Sequence, residues 1–287
     1  MPTLYERAQT LIEALPYLRE YNGATLVIKY GGAAMVDPEL KAAVLKDVVL
    51  LRYVGMNPIL VHGGGPEISA MVKQMGMEPK FVQGLRVTDE STMEIVEMVL
   101  VGKTNSDIVG TLNQHGARAV GLSGKDANLL RCCKHTEGGV DLGLVGEIEE
   151  INSGVIHSLV KEGFLPVIAP IGWGSEGETY NLNADHVAGA LAAVLRATKL
   201  IMLTDVTGVR DDPEDPATLI SVLPATRARK LMVEGKIESG MVPKVEACLQ
   251  AIDGGVPRAH IIDGRLPNSL LMEIFTDVGI GTMVVPD

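Results

Sequence analysis

Short β-branched and aliphatic runs alternate with longer stretches of helical period along this chain. The runs fall at 25–30, 58–62, 118–122, 165–171, 199–204, 260–262 and 282–285, and each reads as a buried strand. Helical spacing fills the gaps, most clearly at 38–54, 184–196 and 242–253. Asp37 opens the first of these as a side-chain cap, with Pro38 in the first turn. Strands alternating with helices predict an α/β fold with a mostly parallel sheet flanked by helices. Residues 130–151 break that rhythm, because Gly138-Gly139 between two short apolar runs predicts a β-hairpin set as a flap or edge. Ahead of the first strand, Leu4, Ala8, Leu11, Ile12, Leu15 and Leu18 recur at helical spacing and predict an amphipathic helix within residues 1–24.

Composition narrows what such a fold can do. Aromatics make up only 3% of the 287 residues, so the core must be aliphatic, filled out by 13 Met. The net charge of −11 disfavours nucleic acid, whose phosphates need a basic face. Cys132 and Cys133 are adjacent, and with Cys248 they offer no disulfide framework, which fits a reducing compartment and a cytoplasmic address. The first residues lack a basic start followed by an apolar run, and the longest apolar stretch, 187–195, is too short to span a bilayer.

Three motif matches fail on context. Gly102-Lys103-Thr104 ends like a P-loop, but Glu97 stands where the pattern needs its first glycine. The glycines at 172, 174 and 177 mimic a dinucleotide fingerprint, yet no helix starts at once after them. The acids Asp211, Asp212, Glu214 and Asp215 are interrupted by Pro213 and followed by Pro216, and they lack the glycine of a calcium loop.

Six other elements sit where strands end and helices begin, the usual place for ligands in open α/β sheets. Lys29-Tyr30-Gly31-Gly32 joins an ammonium to bare backbone N–H groups, a combination suited to polyphosphate, and His62-Gly63-Gly64-Gly65 repeats the glycine turn on the next strand. Arg86, in a loop before a helix, offers a fork for a carboxylate, although alone it reads as a surface arginine. Asn181-Leu182-Asn183-Ala184-Asp185 leads into an apolar helix that Asn183 caps. Thr204-Asp205 and the turn through Gly208 close another strand. Lys244 lies in the first turn of a helix, where a cation opposes the dipole and calls for a compensating anion.

In this order the six elements resemble the amino acid kinase family, from about Thr25 to Val285. The resemblance implies a three-layer αβα sandwich with an extra N-terminal helix, divided into an acyl-amino-acid-binding and dimerisation lobe at 25–197 and an ATP-binding lobe at 198–287. It implies that Lys29 and Lys244 stabilise a phosphoryl group in flight, that Asp185 holds both lysines, and that Gly32 and Gly64 donate N–H groups to it. Arg86 and Asn181 would take the substrate's α-carboxylate, with Asn183 beside them and Gly64-Gly65 facing the reacting carboxylate. Gly31, Asp205, Gly208, Arg210 and Lys236 would line the ATP site, and Mg2+ would arrive on the nucleotide. Within the family the chain is similar to members that phosphorylate the γ-carboxylate of N-acetyl-L-glutamate during arginine biosynthesis. Members inhibited by L-arginine interlace N-terminal helices into a hexamer, a trimer of dimers, and the resemblance places Tyr21, Glu273 and Gly281 at the effector site. A carbon- and nitrogen-sensing signalling protein as a further partner is not readable from the residues. Two alternatives stay open: another family member, such as a carrier-bound aminoadipate kinase, and a non-catalytic regulator that binds nucleotide or amino acid. Length argues against members with added regulatory domains.

Overall fold

The computed structural model describes residues 3–32, 35, 37–82, 84–136, 140–212 and 214–287. Its centre is an eight-stranded sheet, running from one edge as Val222–Pro224, Thr282–Val285, Ala259–Asp263, Lys199–Thr204, Thr25–Tyr30, Asn57–His62, Leu165–Ala169 and Ala119–Ser123. Every pairing is parallel except that of Ala259–Asp263 with Thr282–Val285. The seven strands expected from the aliphatic runs are all present. The edge strand Val222–Pro224 was not anticipated, because three residues ending in proline carry almost no periodic signal.

Alternation along the strands divides the core in two. Val27, Leu200 and Met202 face a layer built by the helices Ala184–Val194 and Val242–Asp253. Leu26, Ile28 and Ile201 face the opposite layer, made by Pro38–Tyr53, Ser106–Gln114 and Ser269–Ile274. The αβα sandwich is therefore real, and helices cover both faces of the sheet as a buried parallel sheet requires.

Two expected boundaries move. The run 165–171 is not one strand: Leu165–Ala169 stays in the central sheet, and Ile171–Trp173 joins a second sheet. Pro170 lies between them with no N–H to continue the ladder. The helix expected to reach 196 ends at Val194, capped by Leu195, before Arg196 takes a left-handed φ of 47°. The expected hairpin forms as the antiparallel pair Leu130–Lys134 and Gly146–Ile151 within that second, four-stranded sheet, while its Gly138-Gly139 tip lies outside the described residues. No helix among the described residues is long and apolar enough to cross a membrane.

The helices Ala184–Val194 and Val242–Asp253 approach backbone to backbone at Gly189. A Cβ there would stand 2.6 Å from the Ala247 carbonyl oxygen and 2.9 Å from its Cα. We expect Gly189→Ala to lower unfolding free energy by about 1–3 kcal/mol, the range for overpacking a core. Chemical denaturation of the purified variant checks this, and unchanged stability would show that the helix pair yields freely.

Candidate active site

Lys29 is the fifth residue of a strand buried along its whole inner length, so its side chain leaves the carboxyl end of the sheet. Asp185 enters from the first turn of Ala184–Val194, where the Asn183 side chain accepts a hydrogen bond from the Asp185 N–H at 2.8 Å and fixes the helix start. Lys244 comes from the first turn of Val242–Asp253, the helix that packs against the first at Gly189. The three side chains meet: Asp185 Oδ1 lies 2.9 Å from Lys29 Nζ, and Oδ2 lies 3.1 Å from Lys244 Nζ.

Burial would raise the Asp185 carboxyl, but the two ammonium groups outweigh it and hold it down to about 2. One negative charge thus faces two positive ones in a buried setting. The surplus positive charge lies near two helix N-termini, whose dipoles add to it. The arrangement is an incomplete ion cluster, and an anion completes it.

Glycines bring bare backbone to the same place. A Cβ on Gly31 would fall 2.6 Å from Lys29 Nζ, and Gly32 holds a φ of 69° that favours glycine, with Asp205 as its neighbour. Gly64 heads the helix Gly65–Gln74 with no side-chain cap, leaving N–H groups of its first turn unclaimed. A side chain on Gly64 would strike Leu100, whereas one on Gly65 would meet nothing within 4 Å. Gly65 therefore faces open space.

That space is a cavity of about 200 Å³ shared by Gly63, Gly64 and Gly65 with Arg86, Asn181 and Asn183. Arg86 is buried, lies over the Phe81 ring at 4.6 Å, and donates to the Gly65 carbonyl at 2.9 Å and Ser69 Oγ at 2.8 Å. Its Nη1 is buried without a partner, and burial lowers its proton affinity. Its hydrogen bonds among the described residues go to neutral groups, which leaves the guanidinium charge without a counter-ion there. Arg86 occupies a two-residue strand, Leu85–Arg86, and not a plain loop as expected. Asn181 Nδ2 donates to Thr88 Oγ1 at 3.3 Å, and the Asn181 N–H donates to the Leu144 carbonyl at 2.9 Å. Leu144 in turn donates its N–H to the Thr88 carbonyl at 2.6 Å, tying the Arg86 segment to the base of the hairpin.

Sequence reasoning missed the support behind the glycine turn. His62 is fully buried, and burial pulls its imidazole down to about 4, so the ring is neutral. Its Nδ1 donates to the Gly63 carbonyl at 2.7 Å, and its Nε2 accepts from Asn105 Nδ2 at 3.1 Å. Asn105 also donates to the Val167 carbonyl at 3.0 Å. Asn105 and the buried Thr104 end a π-helical segment, Met98–Asn105, so of the false P-loop match at 102–104 only Thr104 is buried, and with Leu100 it backs Gly64. The available signal was a polar pair, Thr104-Asn105, within an otherwise apolar helical stretch.

Gly208, Arg210 and Lys236 come together around a second, smaller cleft of about 50 Å³, with Asp205 one residue from its edge. A Cβ on Gly208, at a φ of 147°, would lie 2.6 Å from Thr282 Oγ1. Among the proposed effector residues, Glu273 is buried, with Oε1 2.6 Å from His260 Nδ1 and Oε2 accepting the Ile280 N–H at 3.0 Å. Lys199 Nζ lies 4.8 Å from the centre of the Tyr21 ring. Gly281 presses on the sheet instead of opening to a cavity, since a Cβ would sit 2.1 Å from the Ile261 carbonyl oxygen. Among the described residues no group of three or more His, Cys, Asp or Glu is placed to hold a metal.

A sandwich with a cationic, glycine-lined crevice at the carboxyl ends of its strands is the architecture of a phosphoryl-transfer enzyme. The model of the amino acid kinase family matches residues 24–263, and the chain belongs to that family. It is 56% identical over 286 residues to the acetylglutamate kinase of Symbiobacterium thermophilum, with 98% of each chain covered. It is 57% identical over 278 residues to that of Caldanaerobacter subterraneus, covering 97% of this chain and 93% of the other. Among solved structures, N-acetylglutamate synthase from Neisseria gonorrhoeae superposes with a TM-score of 0.86 at 27% identity; the match covers 98% of this chain and 63% of that one. Carbamate kinase from Giardia, at 18% identity and a TM-score of 0.69, shares the fold over 92% of this chain and 99% of its own.

Proposed function

We propose that this protein transfers the γ-phosphoryl group of ATP to the γ-carboxylate of N-acetyl-L-glutamate, giving N-acetyl-L-glutamyl 5-phosphate for arginine biosynthesis. The observation that carries this reading is the Lys29–Asp185–Lys244 bridge, an incomplete buried ion cluster next to two glycine turns. The names of relatives more than half identical to the chain supply the acid.

The acceptor carboxylate has an ordinary pKa of about 4, so near neutrality it is already a nucleophile and needs no general base. The obstacle is repulsion between two anions. In our reading Lys29 and Lys244 spread over the oxygens of the moving phosphoryl group, Asp185 holds both ammoniums in register, and the N–H groups of Gly32 and Gly64 face the same oxygens. Arg86 and Asn181 take the α-carboxylate, Asn183 lies beside them, and the Gly64-Gly65 turn faces the γ-carboxylate. A carboxylate oxygen attacks the γ-phosphorus in line, the bond to the bridging oxygen breaks, and ADP leaves. ATP lies along Asp205, Gly208, Arg210 and Lys236 in the lobe 198–287, with Gly31 of the acid-binding lobe 25–197 reaching its phosphates. The phosphate end is lined by ammonium and N–H groups that suit phosphate oxygens, and the described residues offer no carboxylate cluster for a metal, so Mg2+ would be held by the phosphates of ATP and would supply charge neutralisation there.

With Mg-ATP and N-acetyl-L-glutamate the protein should form an acyl phosphate that hydroxylamine traps as a hydroxamate, while free glutamate and aspartate react poorly. Faster turnover of aspartate than of N-acetyl-L-glutamate overturns the substrate assignment.

Lys29→Ala and Lys244→Ala should each lower kcat by roughly 10²-fold, the scale for losing one preorganised donor. Arg86→Ala should chiefly raise KM for the acid, because its contact exists before the transition state. Steady-state kinetics on the folded variants separates the two patterns, and an unchanged kcat in Lys244→Ala removes that lysine from the chemistry.

The N-terminal helix supports a regulatory reading. Leu4–Glu13 begins with a complete capping box, yet Leu4, Leu11 and Ile12 are 85%, 73% and 63% exposed, so the apolar stripe does not pack on its own sandwich. We infer that it covers a second copy of the chain in a hexamer inhibited by L-arginine, with Tyr21, Glu273 and Gly281 near the effector; the Glu273 carboxylate is the group a guanidinium would compete for with His260. A protein deleted through Leu15 should be dimeric, active and less sensitive to arginine. Light scattering that finds a full-length dimer, with activity indifferent to millimolar arginine, would falsify the regulatory reading and leave the kinase reading standing.

A further inference from the structure

A larger cavity, about 370 Å³, adjoins the crevice that holds Arg86. The two share four lining residues, Leu85, Val145, Leu182 and Asn183, so one wall separates them. Beyond that wall the larger cavity runs between the hairpin strand Gly146–Ile151 and the helices Ala184–Val194 and Val242–Asp253. Ile148 and Val187 extend its apolar lining. Its polar rim carries Glu147, paired with His135, and Glu246, whose Oε2 lies 3.3 Å from His186 Nε2. Among the described residues no lysine or arginine lines it. Beyond the shared wall, none of these groups is used in the transfer described above.

The direction of the substrate follows from its two charged ends. With one carboxylate on Arg86 and the other at the Gly64-Gly65 turn, the remaining substituent, the N-acyl group, is left to the uncharged side of the crevice. That side is Leu85, Val145 and Leu182, the same wall that borders the larger cavity. A closed apolar pocket discriminates against one extra methylene by about 10- to 200-fold, whereas a pocket that continues into open space does not.

We propose that the larger cavity is an acyl-extension subsite, which lets the protein accept N-acyl glutamates with neutral aliphatic acyl groups longer than acetyl and, through Glu147 and Glu246, reject those ending in a second carboxylate. This rests on the reading of the crevice as the N-acetyl-L-glutamate site. The acyl chain passes between Leu85 and Val145, buries its methylenes against Ile148 and Val187, and meets the two glutamates only if it is long enough to reach the rim. An anionic terminus there faces two carboxylates, and among the described residues no lysine or arginine of the lining offsets them.

The test compares N-acetyl-, N-butanoyl- and N-succinyl-L-glutamate in the hydroxamate assay with Mg-ATP. For the wild-type protein, kcat/KM for N-butanoyl-L-glutamate should lie within about threefold of that for N-acetyl-L-glutamate, and N-succinyl-L-glutamate should be worse by about 10²-fold or more. Two variants fill the cavity from different sides: Ile148→Trp from the strand and His186→Trp from the half-exposed rim. Each should lose about tenfold or more on the butanoyl substrate while keeping acetyl turnover within about twofold, and thermal melting confirms that each is folded. Acetyl turnover with rejection of the butanoyl substrate by the wild-type protein overturns the proposal and leaves the proposed function intact. Equal butanoyl turnover in a folded filled variant and the wild type shows that the chain goes elsewhere, and also overturns it. Failure of all three substrates defeats the underlying site reading, and the subsite with it.

Discussion

One carboxylate shared between two ammonium groups governs the geometry of this protein's centre. Asp185 is buried, and so is Lys29, the strand lysine it holds. Taking such charges out of water is costly, and the cost is offset only when each finds a partner at close range. Removing Asp185 would leave two cations facing each other with nothing between them. Adding an anion, by contrast, satisfies both. The cluster is arranged so that the protein without ligand is short of one negative charge, and much of the surrounding architecture serves to keep it so.

That architecture is built from close approaches. Gly189 lets the helix carrying Asp185 lie against the helix carrying Lys244. Gly31 keeps clear the space that the Lys29 ammonium occupies, and Gly64 clears Leu100. Arg86 is handled differently: it is held by the neutral groups of Gly65 and Ser69 and braced by Phe81, so its charge is left for a ligand. Arg86 shares its crevice with the Gly63-Gly64-Gly65 turn, so in the reading proposed above it anchors one end of the acid while the other end faces the turn.

The sheet was legible because its strands are buried on both faces and read as unbroken aliphatic runs. The glycine and lysine elements were legible because strand ends followed by helices are where such residues have a chemical use. The boundary at Pro170 was hidden because residues 165–171 are apolar on both sides of the break, and only the missing N–H marks it. The role of His62 was hidden for another reason. Its partner Asn105 lies 43 positions away, and no local pattern links an imidazole in a glycine turn to an amide in a helix. The cavity beyond Val145 depends on how the hairpin leans over two helices, which periodicity does not encode.

The π-helical winding of Met98–Asn105 carries a consequence for how this chain can drift. A π turn holds more residues than an α turn, so losing one residue there would relax the segment to ordinary winding. Such a loss would change where Thr104 and Asn105 stand against the His62-Gly63-Gly64 turn while leaving hydropathy almost unchanged. Val99 and Leu100 are buried, and Leu100 abuts Gly64, so size and apolarity matter there alongside register. The segment is a spacer whose length, more than its composition, sets where Thr104 and Asn105 stand.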